Sequence, residues 1–178
     1  MEFILLLVCY GIIGGGLKYI DQAYDKLIFS KTKAKVLAGL LGLLGGYLIV
    51  TDAYNAMILF AVLVGNAILK KIDNTAFYIG VGILITVFIF FGNHISIQWP
   101  IFGLLILAAI ADQYMDDWRE RKAVSKLLDH ILHYGYIWKA SVLSLCLLGI
   151  MPWIYFFAVL VFDLAYSGVE IYSLKFVH

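Results

Sequence analysis

Residues 3–17 read FILLLVCYGIIGGGL, an apolar run without a charged side chain, and similar runs recur along the whole chain. Of the 178 residues, 63% are apolar and 14% are charged, and the mean hydropathy is +0.95. A soluble domain averages roughly a quarter charged residues, and a chain of this size could not bury so much apolar surface in one core. The composition therefore predicts an integral membrane protein, with residues 1–178 as a single domain.

Apolar windows of about 20 residues, the length that crosses a bilayer, divide the chain into helices. The sixth window is short, so a six-span arrangement stays open. The layout also allows a 3+1+3 internal repeat, because Asp21-Gln-Ala-Tyr24 and Asp163-Leu-Ala-Tyr166 are alike. The windows predict an all-α bundle of about seven transmembrane helices, at residues 3–22, 35–52, 54–72, 76–95, 99–117, 136–151 and 152–173.

The segment at residues 118–134, between the fifth and sixth windows, carries too many charges to cross a bilayer. Its apolar residues recur three and four positions apart, which is the period of one helix face. A helix of this kind lies along the membrane surface with its apolar face in the interface. The pattern therefore predicts one interfacial amphipathic helix, whose apolar face consists of Val124, Leu127, Leu128, Ile131 and Leu132.

The charges define an orientation. All 13 Lys and Arg residues fall on one side of the predicted helix map. Basic residues accumulate on the cytoplasmic side of a membrane, so we expect the N-terminus outside and the C-terminus in the cytoplasm. Glu2 precedes the first apolar run and Lys18 follows it, which is opposite to a cleavable signal peptide. The first helix is therefore expected to be retained.

Carboxylates occupy the last two turns of the first, third, fifth and seventh windows, all on the predicted cytoplasmic side. In the first window, Lys18, Asp21 and Asp25 form one stripe, since positions i, i+3 and i+7 share a helix face. Asp25 and Glu170 also fit ordinary residues that face lipid headgroups. A carboxylate near hydrocarbon is costly and like charges repel, so the clustered carboxylates call for a counter-ion.

Mg²⁺ suits such a site, because it binds one or two carboxylates together with the oxygens of a diphosphate. Lys and Arg side chains nearby would bind the phosphate oxygens. Asp21 and Asp112 are the candidate catalytic residues. The candidate metal ligands are Asp21, Asp25, Asp112 and Asp116, the candidate phosphate-binding residues are Lys18, Lys26, Arg119 and Arg121, and Asn66, Asp73 and Asp163 are further candidates.

The segments Asp21-Gln-Ala-Tyr-Asp25 and Asp112-Gln-Tyr-Met-Asp116 are two DxxxD motifs with three spans between them. This arrangement resembles the UbiA-type intramembrane prenyltransferases. In that family, two Asp-rich motifs at the cytoplasmic face hold Mg²⁺ and the diphosphate of a polyprenyl donor. The resemblance implies a Mg²⁺-dependent membrane enzyme acting on an isoprenoid or lipid diphosphate at the cytoplasmic face. The first motif lacks the Asn-Asp start and the third Asp that the family carries.

A second class of function stays open. Intramembrane carboxylates are common in proton and cation pathways, and repeated helix units are typical of transporters. The alternative is therefore a small transporter or channel for a cation or a small solute. The basic residues follow the membrane boundary, which indicates no nucleic-acid partner. The expected partner is a membrane lipid or isoprenoid diphosphate. The sequence leaves open whether the chain forms a homo-oligomer.

Overall fold

A computed structural model describes residues 2–121 and 136–174, and the described residues form helices without any strand. The predicted all-α class is confirmed. The predicted interfacial helix lies largely outside the described residues, except that residues 118–121 continue the fifth helix. The seven helices within the described residues are α1 (Phe3–Tyr24), α2 (Lys31–Thr51), α3 (Ala53–Ile68), α4 (Thr75–Phe91), α5 (Trp99–Arg121), α6 (Tyr136–Leu147) and α7 (Trp153–Leu174).

Three of these helices, α1, α2 and α7, are long and apolar enough to cross a membrane. At 1.5 Å per residue, the 22 residues of α1 extend about 33 Å, which matches a hydrocarbon core about 30 Å thick. The helices α3, α4 and α6 and the apolar part of α5 are also apolar, but each is shorter than 18 residues. The helices therefore fit a membrane protein.

The helix boundaries follow local signals. The Ser30 side chain accepts a hydrogen bond from the Lys33 N–H at 3.5 Å, and the Asn74 side chain accepts one from the Phe77 N–H at 3.0 Å. These contacts cap the first turns of α2 and α4. Gly149, with a φ of +69°, helps to separate α6 from α7. The sixth window is thus a helix of its own, with 12 residues.

The described helices fall into two compact units. The first unit contains α1, α2, α4 and most of α7, in residues 2–52, 72–95 and 157–174. In it, α1 and α7 run in the same direction, because Gly11 meets Val161 and Gly15 meets Ala165.

The other helix pair of the first unit packs through glycine as well. A Cβ at Gly42 would overlap the carbonyl oxygen of Gly80, and one at Gly46 would lie 2.8 Å from the Val87 Cβ. Since the contacts advance along both helices together, α2 and α4 are parallel. Small residues allow such close backbone approach between membrane helices, where no hydrophobic force drives association.

The second unit contains α3, α5 and α6, in residues 53–71 and 96–121 and from residue 136 to residue 156. A Cβ at Gly65 of α3 would lie 3.0 Å from the Ala109 Cβ of α5. The turn after α6 is tied to α3, because the Tyr54 hydroxyl donates a hydrogen bond to the Ile150 carbonyl at 2.9 Å. The Tyr54 and Tyr155 rings lie 5.2 Å apart between centroids. Aromatic and backbone contacts therefore hold this end of the unit.

Candidate functional site

A buried lysine stands at the centre of the most polar part of the first unit. Lys18 of α1 is only 8% exposed. Its Nζ lies 3.1 Å from Glu170 Oε1 and 3.4 Å from Asp21 Oδ2. The same Nζ lies 4.7 Å from the centroid of the Tyr166 ring, a distance at which a cation and an aromatic face attract each other. One ammonium group is thus held by two carboxylates and an aromatic face, and we call these four residues the Lys18 cluster.

Two helices position the Lys18 cluster. Lys18 and Asp21 are three residues apart on α1, and Tyr166 and Glu170 are four residues apart on α7, so each pair shares a helix face. The faces meet because α1 presents glycine to α7. A Cβ at Gly14 would overlap the carbonyl oxygen of Phe162. The glycine face thus allows the two backbones to approach closely, and the ion pair forms a turn further along.

The exposure of the three ionic side chains differs. The Lys18 side chain is 10% exposed, whereas those of Asp21 and Glu170 are 32% and 23% exposed. A buried ammonium group is tolerated only when it is paired and hydrogen-bonded, and the two carboxylates provide that pairing. The carboxylates of Asp21 and Glu170 thus remain partly exposed while they bind Lys18. The lysine itself is shielded from any ligand.

Two polar atoms near the end of α1 lack a partner among the described residues. They are Gln22 Oε1 and the Tyr24 hydroxyl, both inaccessible to solvent. Gln22 is 1% exposed and lies four residues after Lys18, on the same face of α1. A buried polar atom without a hydrogen bond is unfavourable. The buried polar face of α1 therefore extends from Lys18 to Gln22.

Of the predicted site residues with described side chains, Lys18 and Asp21 are joined by an ion pair. Asp25 and Lys26 follow the end of α1 and are both exposed. The Asp25 N–H donates to the Asp21 carbonyl at 2.9 Å, which continues the helical pattern by one residue. The predicted stripe of Lys18, Asp21 and Asp25 therefore runs from a buried to an exposed position.

The remaining candidates lie on other elements. Asp163 is half-buried on α7, and Asn66 is half-buried on α3. Asp73 is exposed in the segment between α3 and α4. Asp116, Arg119 and Arg121 belong to the last turns of α5, and their side chains lie outside the described part of the structure.

Asp112 has a structural partner in the second unit. Its Oδ1 accepts a hydrogen bond from the Ile137 N–H at 3.1 Å, at the first turn of α6. A carboxylate at that position satisfies a backbone donor that has no partner within the helix and complements the helix dipole. Asp112 therefore has a structural role, since it holds the start of α6 against α5. Asp21 and Asp25 belong to the first unit, and Asp112 and Asp116 to the second.

A metal centre made of protein ligands alone is not found in the described residues, since no three His, Cys, Asp or Glu side chains there are grouped to hold an ion. Mg²⁺ has a weaker requirement, because one or two carboxylates suffice when substrate phosphates and water supply the other ligands. The partly exposed carboxylates of the Lys18 cluster meet that requirement. The Mg²⁺ site stays a prediction.

Glu170 and Tyr166 are the site residues that sequence reasoning missed. Glu170 lies near the end of its helix, where a headgroup-facing residue is common. The available signal was the spacing of Asp163, Tyr166 and Glu170 on α7, which matches the polar stripe on α1. Spacing within one helix does not reveal which other helix it faces, so the pairing of Glu170 with Lys18 required the structure.

Comparison of the chain with protein-family models, with curated proteins and with solved structures finds no match. The likeness of the two DxxxD motifs to the UbiA-type prenyltransferases therefore stays a prediction.

Proposed function

We propose that this protein is a membrane-embedded, Mg²⁺-dependent enzyme that acts on an isoprenoid or lipid diphosphate. The observation that supports the proposal is the Lys18 cluster, an ionic group held between two helices that are apolar enough to cross a membrane. Charged groups in such segments are costly and are usually functional. The partly exposed carboxylate of Asp21 lies one turn from the exposed Asp25, where a ligand from the membrane surface can reach both.

The proposal includes a topology of seven spans, with the N-terminus outside and the C-terminus in the cytoplasm. Two observations support it. The helices α1 and α7 run parallel, as expected when an even number of crossings leads from the start of one to the start of the other. The basic residues lie on one side of the helix map, which the positive-inside rule assigns to the cytoplasm.

In the proposed mechanism, each DxxxD motif binds metal through its own pair of carboxylates, Asp21 and Asp25 in the first motif and Asp112 and Asp116 in the second. Mg²⁺, when bound, would neutralise the charge that develops on the diphosphate as its C–O bond to the isoprenoid carbon breaks and an acceptor, water in the simplest case, bonds to that carbon. The basic residues that follow each motif, Lys26 after the first and Arg119 and Arg121 after the second, would stabilise phosphate charge as hydrogen-bond donors. The apolar spans would take up the hydrocarbon tail. The catalytic roles fall to Asp21 and Asp112.

Lys18 takes a different role in this mechanism from the phosphate-binding role that its position suggests. Its ammonium group is buried and already bound by Asp21 and Glu170. We assign it the role of a positioning residue, which holds the Asp21 carboxylate in one orientation. Preorganised ligands of this kind bind a cation and a phosphate with less loss of entropy.

The test is diphosphate release from a polyprenyl diphosphate by the purified chain in lipid nanodiscs, with and without Mg²⁺. We expect turnover to depend on Mg²⁺ and to be lost in Asp21→Asn and in Asp112→Asn. The asparagine side chain of the Asp112→Asn variant still offers an oxygen to the Ile137 N–H, so a loss there reports the charge and not the packing of α6. Asp52→Asn, in the turn between α2 and α3, is the matched control and should retain activity. Full activity in Asp112→Asn would contradict the proposal.

The same cluster also favours a second candidate, a small transporter for a cation or a solute. Buried ion pairs between membrane helices occur in proton and cation pathways, and the Lys18 cluster joins two such helices. Flux into proteoliposomes distinguishes the two functions. Uptake that is lost in Asp21→Asn, without any product formed from the diphosphate, would favour transport over catalysis.

A further inference from the structure

A second charged surface lies at the same end of the first unit, outside the Lys18 cluster. Four lysines fall within ten residues, in the loop after α1 and the first turns of α2, and all four are exposed. Lys26, Lys33 and Lys35 have no ion-pair partner among the side chains that the structure describes. We call Lys26, Lys31, Lys33 and Lys35 the lysine surface.

The first turn of α2 leaves this charge uncompensated. The amino end of a helix carries a partial positive charge, and acidic side chains are favoured there. The first turn of α2 contains no acidic residue, although it contains Lys31 and Lys33. Lysine side chains and helix dipole therefore repel one another, and an external anion would relieve the repulsion. The helix end does not define the site alone; it adds to the charge of the exposed lysines.

The loop that carries the lysine surface is folded against α1. The rings of Tyr19 and Phe29 stack with their centroids 4.3 Å apart, and the Ile28 N–H donates to the Gln22 carbonyl at 3.3 Å. The Lys31 Nζ lies 5.3 Å from the centroid of the Tyr24 ring. Because these contacts fix the loop, the lysines are held together before any ligand binds.

An exposed apolar side chain lies among the lysines. Leu27 is 66% exposed, and its φ of +56° is in the left-handed region that residues other than glycine rarely adopt. The backbone thus turns Leu27 outward, although burying it would be favourable in water. Basic residues mixed with an outward apolar side chain are typical of segments that lie at a membrane interface. The position of the loop fits a membrane interface, since the loop joins two helices that can each cross a membrane.

We propose that the lysine surface binds the phosphates of anionic lipid headgroups, with Leu27 reaching into the acyl boundary. Juxtamembrane lysines attract anionic lipids by roughly 1 kcal/mol each, which corresponds to about a fivefold change in affinity. This interaction goes beyond the proposed enzyme function and does not depend on it. It would anchor the α1–α2 loop at the depth of the headgroup phosphates, next to the exposed Asp25.

The experiment is native mass spectrometry of the full chain in detergent, titrated with phosphatidylglycerol or phosphatidylcholine in the absence of Mg²⁺. We expect phosphatidylglycerol to bind more tightly than phosphatidylcholine. The double variant Lys33→Gln, Lys35→Gln should lose about 25-fold in affinity for phosphatidylglycerol. Glutamine has nearly the helix propensity of lysine, so α2 should be retained.

Two control variants distinguish loss of charge on the lysine surface from misfolding and from loss of charge elsewhere. Lys33→Arg with Lys35→Arg keeps the charge and should keep the binding. Lys70→Gln with Lys71→Gln removes equal charge from the segment after α3, outside the lysine surface, and should lower the affinity less. Equal binding of the two lipids, no loss in the Lys33/Lys35 glutamine variant, or an equal loss in the Lys70/Lys71 variant would overturn the proposal.

Soluble inorganic diphosphate distinguishes a lipid headgroup from a free phosphate ligand. If the lysine surface serves lipid, diphosphate at the same concentration leaves phosphatidylglycerol binding unchanged. If the Lys33/Lys35 glutamine variant instead loses diphosphate binding and retains lipid binding, the surface belongs to a soluble ligand and the proposal fails. Because no Mg²⁺ and no turnover enter these measurements, their failure is distinct from a failure of the proposed enzyme.

Discussion

At the scale of single residues, Lys18 is the buried charge on which the ion pairs of the first unit depend. It carries a full charge at 8% exposure, with Asp21 and Glu170 as its ion-pair partners. Removal of one member of a buried ion pair leaves the other charge uncompensated, which costs more than the pair itself contributes. Lys18 therefore stabilises the first unit, because its charge offsets those of two carboxylates that lie between apolar helices.

We expect Lys18→Met to lower the free energy of unfolding by about 1–3 kcal/mol, less than a fully buried pair because both carboxylates are partly exposed. The double variant Lys18→Met, Glu170→Gln should recover part of this loss, since it removes one uncompensated charge. Thermal unfolding in detergent micelles measures both. Lys26→Met, at an exposed position, is the control and should change stability by less than about 0.5 kcal/mol. A Lys18→Met protein as stable as the parent would contradict the assigned role.

At the scale of elements, the glycines of α1 decide how closely α7 can approach. Gly14 is the tightest of them, because an added Cβ would meet the Phe162 backbone. Backbone atoms cannot rotate out of the way, so the whole helix must move. A shift of α7 would also separate Glu170 from Lys18, which couples the packing to the ionic site.

Gly14→Ala should therefore lower stability by about 1–3 kcal/mol, the usual cost of overpacking. Gly82→Ala in α4 is the matched control, because an added Cβ there meets no atom within 4 Å. It should be neutral or stabilising by up to about 1 kcal/mol through helix propensity. Unfolding by denaturant in micelles compares the two. Equal stability of both variants would show that the close approach of α1 and α7 is not limiting.

The sequence predicted the helices better than their ends. Hydropathy windows place the start of the second helix at residue 35, whereas α2 begins at Lys31. The Ser30 cap and the helix propensity of lysine extend α2 beyond its apolar part. The fifth helix likewise continues past residue 117 to Arg121, because charged residues form helix as readily as apolar ones. A window that scores only hydropathy does not register either effect.

The candidate site likewise contains contacts that the sequence predicts and contacts that it does not. The pairing of Lys18 with Asp21 follows from a spacing of three residues within one helix, and the structure confirms that they are close. The contacts of Lys18 with Glu170 and of Asp112 with Ile137 join different helices. Such contacts depend on which helix faces which, and a single sequence carries no direct signal for that.

At the scale of the whole molecule, the exposed side chains indicate whether water or lipid surrounds the helices. Large apolar residues are widely exposed, among them Ile4 at 73%, Ile89 at 69% and Phe90 at 72%. Contact of such surface with water would be unfavourable at roughly 25 cal/mol per Å², whereas lipid tails accept it. Exposed apolar helices together with a buried ionic cluster invert the pattern of a water-soluble protein, as a membrane environment requires.

Cysteine labelling tests the proposed orientation. Cys9 and Cys146 are buried, so the background reaction is low. Glu2→Cys should react with a membrane-impermeant maleimide on intact cells, whereas Thr32→Cys should react only after permeabilisation, because α1 would separate the two positions by one membrane crossing. Labelling in detergent, where both should react, is the control. Equal labelling of the two positions on intact cells would contradict a crossing by α1.

The pairing of Lys18 with Glu170 also has a consequence for biosynthesis. Roughly 150 residues separate the two, so at about 5–20 residues per second the ribosome adds Glu170 about 8–30 s after Lys18. During that interval α1 has only Asp21 to balance its lysine, and most of the second unit is synthesised before α7 emerges. A membrane-inserted α1 would therefore stay incompletely neutralised until α7 is synthesised, and chains that stop before α7 would expose this uncompensated charge to quality control.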